Sequence, residues 1–175
     1  MFNRIVGVFR LDSNIFEEIE HDPNATGQAA LVVIIVALIA AFGSGIGALF
    51  FDGEFFPTLL STLLSVLIGW VTWSVVTWFV GVNFFGGQAD VGEMLRVIGF
   101  AYSPQVLGII PCIGWPIGMV WSLIAGFVAM RQGLDLDNTK TFLTIILGFI
   151  GYILVTLIIN AILGTATAMF GSIFG

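Results

Sequence analysis

The chain has 175 residues, of which 58% are hydrophobic and only 9% charged, and its mean hydropathy is +1.09. Soluble domains carry about a quarter of their residues as charges, so this composition excludes an ordinary water-soluble fold and leaves room for one membrane domain. A net charge of −6 excludes a basic nucleic-acid footprint and strong docking on anionic head groups. The single cysteine, Cys112, excludes a disulfide framework and a multi-cysteine metal site.

Residues 1–22 read as a short cytoplasmic, acidic segment, too charged for a cleavable signal peptide. Phe9, Phe16 and Ile19 stand among Arg10, Asp12, Glu17, Glu18, Glu20 and Asp22, a pattern that predicts one or two interfacial helical turns. Ser13 reads as an N-cap, with Glu17 and Glu18 near the helix start. Asp22-Pro23 reads as an N-cap followed by proline at the first helical position.

Residues 23–175 form the membrane domain. Its charges fall in short clusters between four charge-free runs, 23–51, 55–89, 97–130 and 141–175. A spanning helix needs only about 20 apolar residues. The first span is expected at about 28–51. Asp52, Gly53 and Glu54 make a turn without a basic residue, on the far side of the membrane. Pro57 opens the second span, 57–84, with Trp78 and Phe79 suited to an interfacial belt and Trp70 and Trp73 nearer the middle. Gly86-Gly87 breaks it, and Asp90 with Glu93 makes a capping box for the next helix.

The run 97–130 must cross and return despite Pro104, Pro111 and Pro116. Removing a turn leaves roughly 15 residues per arm, about 22 Å each, so spans at about 91–110 and 115–131 form a short hairpin. The last span is expected at about 138–170. The fold is therefore all-α: a bundle of five transmembrane helices with a short N-terminal interfacial helix. Arg4, Arg10, Arg96, Arg131 and Lys140 then lie on one side, which puts the N-terminus in the cytoplasm and the C-terminus outside. The location is a cytoplasmic (inner) membrane.

Several stretches resemble the Yip1 family of small five-helix membrane proteins. The pattern runs through Phe16-Glu17-Glu18-Ile19, Asp22-Pro23 and Thr26-Gly27-Gln28-Ala29. It resumes with Glu93-Met94-Leu95-Arg96-Val97-Ile98-Gly99-Phe100-Ala101 and Pro104, and ends with Trp121 and Ala129-Met130-Arg131-Gln132-Gly133-Leu134. The resemblance covers roughly 13–160 and is to the short prokaryotic branch. The eukaryotic members' long polar N-terminal region and Asp-Leu-Tyr-Gly-Pro signature are missing, so their association with Rab GTPases and vesicle traffic is not carried over. Some prokaryotic members resemble accessory subunits of ABC-type exporters.

Glu93 and Arg96 share a helix face and can pair. Charges near hydrocarbon usually face a cavity or a partner. An interfacial cap at Glu93 with Arg96 snorkelling to the head groups explains them equally simply. Ser103 and Pro104 add to a candidate intramembrane polar site, since proline frees a carbonyl near Phe100. Asn160 completes the set, although interhelical hydrogen bonding is the commoner use of such an amide. Glu17, Glu18, His21 and Asp22 form a candidate docking face for a basic partner, a better fit than a metal site; a solvated face with no specific role fits as well. Gly43, Gly47, Ser61, Ser65, Gly69, Gly164 and Ala168 form small-residue stripes that either pack the fold or make a homo-oligomer.

No nucleophile–base pair, phosphate loop, metal site or cofactor motif is present in the sequence. The reading is a non-enzymatic accessory or scaffold protein in the lipid bilayer that binds other membrane proteins, not nucleic acid. The alternative is a small transporter, channel or lipid-handling protein with its cavity near Glu93 and Arg96.

Overall fold

The computed structural model describes every residue except 52, 111, 112 and 175, and of residues 160 and 162–174 the backbone alone. Expectations about Cys112 and the side chains of Asn160, Gly164 and Ala168 therefore lie outside the described residues. The described chain is helical throughout and contains no strand.

Two short helices come first, α1 (Phe2–Phe9) and α2 (Ser13–His21), joined by a turn in which Leu11 takes a φ of 56°. Asp12, not Ser13, is the N-cap: its carboxylate accepts the Asn14 N–H at 3.0 Å. Ser13 is already helical, and its hydroxyl receives Arg131 Nη2 at 3.1 Å instead. The apolar face of this pair is not laid on lipid. Val8, Phe16 and Ile19 are fully buried in one cluster with Met94, Val97, Phe100 and Leu134, so side chains of the bundle take the place expected for acyl chains.

Helix α3 (Ala25–Leu49) begins two residues after Pro23. Asp22 accepts the Asn24 N–H at 2.9 Å and closes a turn around the proline rather than capping a helix that starts with it. Helix α4 spans Phe55–Phe85 and stops at Gly86, whose φ of 74° suits glycine at a helix end. Helix α7 spans Asn138–Phe174.

Ala25–Leu49, Phe55–Phe85 and the stretch Asn138–Ile159 of α7 are long and apolar enough to cross a membrane. Their outward faces are apolar. On α4 Leu60, Leu64, Ile68, Val71, Val75 and Phe79 are exposed, beside Ser61, Ser65 and Asn83, whereas the inward face sets Ser74, Thr77 and Gly81 among Trp70 and Val80. Soluble helices show the reverse.

The expected continuous helix 91–110 is divided. Helix α5 covers only Val91–Ala101, and a 3-10 helix, Ser103–Ile109, follows. Pro104 lacks the N–H that would continue the α-ladder to Phe100. Eleven residues rise about 16 Å, too little to cross alone. Helix α6 (Gly114–Gly133) returns to the end where α5 began, where Gln88 N–H donates to the Leu134 carbonyl at 3.0 Å. Helix α5 packs against α2, α3, α4 and α6.

The tightest glycine contacts lie outside the Gly43–Gly47 stripe. A methyl group built at Gly99 would lie 2.9 Å from the Ala29 Cβ and 3.2 Å from Trp70 Nε1; one at Gly43 or Gly47 meets nothing within 4 Å. Gly99→Ala should therefore lower stability by about 1–3 kcal/mol through overpacking, whereas Gly43→Ala should leave it unchanged or raise it slightly. Thermal unfolding in detergent distinguishes the two.

Candidate functional site

Helix α5 opens with the expected capping box. Asp90 accepts the Glu93 N–H at 2.7 Å and Glu93 accepts the Asp90 N–H at 2.7 Å. One turn later Arg96, only 8% exposed, reaches out to α2. Its Nε donates to the Glu20 carbonyl at 3.0 Å, Nη2 donates to the same oxygen, and Nη2 lies 4.0 Å from Glu93 Oε1. Glu20 stands at the C-terminus of α2, where carbonyls lack helical partners and the dipole is negative. A guanidinium that grips one carbonyl with two donors suits that position. Arg96 is thus held by protein rather than snorkelling to head groups.

The Glu20 carboxyl sits among acids. Glu20 is 4% exposed, and its pKa is pushed up to about 7, by burial first and then by Asp135. Glu93 and Glu17 add to the rise and His21 opposes it.

A second cation, Arg4, ties α1 to α2, to the turn at Asp22 and to the first turn of α3. It donates to Glu18 at 2.9 Å, to Asp22 at 2.6 Å and to Gln28 at 3.3 Å. The Arg4 hydrogen bond, followed by the Asn24 N–H, holds the Asp22 carboxyl below the usual range. Half of the expected docking face is thereby engaged inside the chain. Glu17 and His21 stay exposed, with His21 Nδ1 2.9 Å from the Glu17 carbonyl. Among the described residues no group of three or more metal-ligating side chains forms.

Ser103 and Pro104 are buried at the joint after α5, packed against α6: a methyl at Gly118 would lie 2.8 Å from the Pro104 carbonyl. At that helix end the Tyr102 N–H is shared between the Ile98 and Gly99 carbonyls, at 3.2 and 3.3 Å. The Ser103 hydroxyl has no partner.

Three cavities lie elsewhere. The largest, about 610 Å³, opens between α4, the end of α5, α6 and α7. The others, about 310 and 390 Å³, lie between α3 and α6 and beside α4. All three are lined by Gln105, two also by Tyr102 and Tyr152, and none by Glu93 or Arg96. Gln105 escaped the sequence reading, although it is the sole amide in the run 97–130.

The pH dependence of α2 docking follows from Glu20. Its docked pKa is raised from 4.5 to about 7, so its contribution is complete below about 4.5 and is lost as pH rises through 7. A nitroxide at Asn14→Cys in a Cys112→Ser background should become more mobile between pH 5 and pH 8. Glu20→Gln should abolish that change, which corresponds to roughly 1–3 kcal/mol. Arg96→Gln should leave the label mobile at both pH values, having lost about 1.5–3 kcal/mol of charged hydrogen bonding.

The Yip1 domain family model matches residues 6–160. No curated protein and no solved structure matches the chain. The matched region runs from within α1 through the clamp of Arg96 on the Glu20 carbonyl and the three cavities into α7, and the chain belongs to the Yip1 domain family, a family of membrane proteins.

Proposed function

We propose that this Yip1 domain protein is a non-enzymatic accessory or scaffold protein of a prokaryotic cell membrane. It binds other membrane proteins through lateral helix contacts, as a subunit beside an ABC-type exporter or a larger complex. The observation that carries the reading is the state of the Glu93–Arg96 pair at the membrane domain's edge. Arg96 and Glu93 are engaged by Glu20 and Asp90 and line none of the three cavities. The competing transport reading placed its pathway at that pair. What remains for interaction is the apolar outer surface of α3, α4 and α7, together with the exposed Glu17 and His21.

In this reading α5 with its 3-10 extension and α6 make two short spans, for a total of five. Supporting it, Arg4, Arg96 and Arg131 join α1, α2, α5 and α6 at the end where α5 begins and α6 ends. That end is cytoplasmic by the positive-inside rule.

Two measurements test the proposal. In a Cys112→Ser background, Glu54→Cys should react with an impermeant thiol reagent from outside, and Thr139→Cys only after permeabilisation. Outside labelling of Thr139→Cys would leave a single crossing between α4 and α7. Crosslinking followed by affinity capture in mild detergent should recover other membrane proteins at stoichiometric yield. Recovery of the protein alone at every detergent strength sinks the scaffold.

A further inference from the structure

We infer that the cavities around Gln105 form a binding site for an uncharged lipid, one whose head carries a hydroxyl or carbonyl group. This is independent of the scaffold reading and concerns a different part of the fold.

The side chains of Tyr102, Gln105 and Tyr152 meet in the cavity wall, and all three are half-buried. Gln105 is in the 3-10 helix, Tyr102 just before it, and Tyr152 on α7 against the edge of Trp73, with ring centroids 5.8 Å apart. Every indole N–H of Trp70, Trp78 and Trp121 finds a backbone carbonyl, at 3.2, 2.9 and 3.1 Å. By contrast, neither tyrosine hydroxyl nor the Gln105 amide bonds to another described side chain or backbone group. The Ser122 hydroxyl on the facing wall is also without a partner. An amide or hydroxyl left unpaired in hydrocarbon costs several kcal/mol. Ser103 and Thr144 are also unpaired, but singly; at Gln105 several such groups gather where three cavities meet, which suits a ligand.

The walls define the ligand's chemistry. No Asp, Glu, Lys, Arg or His lines any of the three cavities, so a phosphate head or an ion would enter without a counter-charge. A neutral head that donates and accepts hydrogen bonds matches an amide and two phenols. The remainder of the largest cavity is apolar, and Leu123, Phe149 and Ile150 at its mouth are exposed on the membrane-facing side. An acyl chain can therefore leave the site into the bilayer while its head stays on Gln105. At about 610 Å³ the cavity has the size of small-molecule sites.

Gly126 supplies the test. It lines the largest cavity, and a methyl built on it meets nothing within 4 Å. Gly126→Leu therefore extends a side chain toward the cavity from an unobstructed Cβ and raises helix propensity. The native protein and the Gly126→Leu and Gln105→Leu variants are placed in nanodiscs with a diazirine-bearing diacylglycerol. A parallel set uses a probe with the same chains and a phosphoglycerol head. Crosslinks are mapped by mass spectrometry, and melting temperatures confirm folding.

The diacylglycerol probe should label the Tyr102–Met119 region about tenfold more than the charged probe. Gly126→Leu should remove that excess, and Gln105→Leu should cut it about three- to tenfold, the equivalent of one hydrogen bond. Equal labelling by both probes makes the lipid an annular bystander and overturns the site. So does diacylglycerol labelling that a folded Gly126→Leu variant leaves unchanged, or the absence of any label there.

Discussion

An ionised guanidinium withdrawn from water must be surrounded by acceptors, and the arrangement of one end of this molecule follows from how Arg96 meets that demand. Burying such a charge costs several kcal/mol even after relaxation. Glu93 lies 4.0 Å away and is already engaged in the α5 cap. The nearest strong acceptor is instead the Glu20 carbonyl, which exists as an unpaired group only because α2 ends there. The helix end supplies the acceptor, and the arginine completes the helix end. Neither group is satisfied if α2 moves away, so the clamp sets the position of the whole N-terminal pair of helices. Phe16 and Ile19 then bury completely against α5 and α6.

Beyond the clamp the fold relies on contact rather than on exclusion of water. Lipid is as apolar as leucine, so helices in a bilayer associate through close packing and hydrogen bonds. The structure uses both. Gly99 and Gly81 admit side chains from α3, α4 and the turn after α6. The indoles of Trp70, Trp78 and Trp121 reach carbonyls at Leu95, Ala89 and Phe9, each tying one segment to another. Inward hydroxyls at Ser74 and Thr77 return to their own helix, which satisfies them without creating a site. Ser103 and Thr144 are left unpaired one at a time, whereas the cluster at Gln105 brings several such groups to one cavity wall.

Charge and hydropathy are properties of residues, so the membrane class, the three long helices and the return of the 97–130 segment were legible in the sequence. So were the capping box at Asp90 and Glu93 and the break at Gly86, because a helix end is specified within four residues. The family resemblance was legible in the order of its motifs. The Ser13 cap was misplaced by one residue because Asp12 and Ser13 are both competent caps, and Arg131, over a hundred residues away, takes the serine hydroxyl. The stripe at Gly43 and Gly47 does not pack inside the chain, because small residues permit close approach but do not select the partner. The partner of Arg96 was illegible, since a backbone carbonyl leaves no mark in the residue type of Glu20. Gln105 could have been found, as Asn160 was, by asking which amides stand inside uncharged runs. Its convergence with Tyr152 depends on the tertiary fold.

Helix α5 links the two features that matter most. Arg96 stands at its middle, and Tyr102 and Gln105 follow its end, so the clamp and the cavity wall are separated by about 9 Å of helix rise. Seven of its eleven residues are buried, from Met94 and Arg96 through Ala101, and close-packed interiors transmit displacement rather than absorb it. Three turns of helix enclosed on most sides move as one body. If occupancy of the cavity shifts that body, it must change the grip on Glu20, and release of Glu20 must change the cavity by the same free energy. The buried carboxyl of Glu20, with a pKa of about 7, places the protonation step of that linkage near neutral pH.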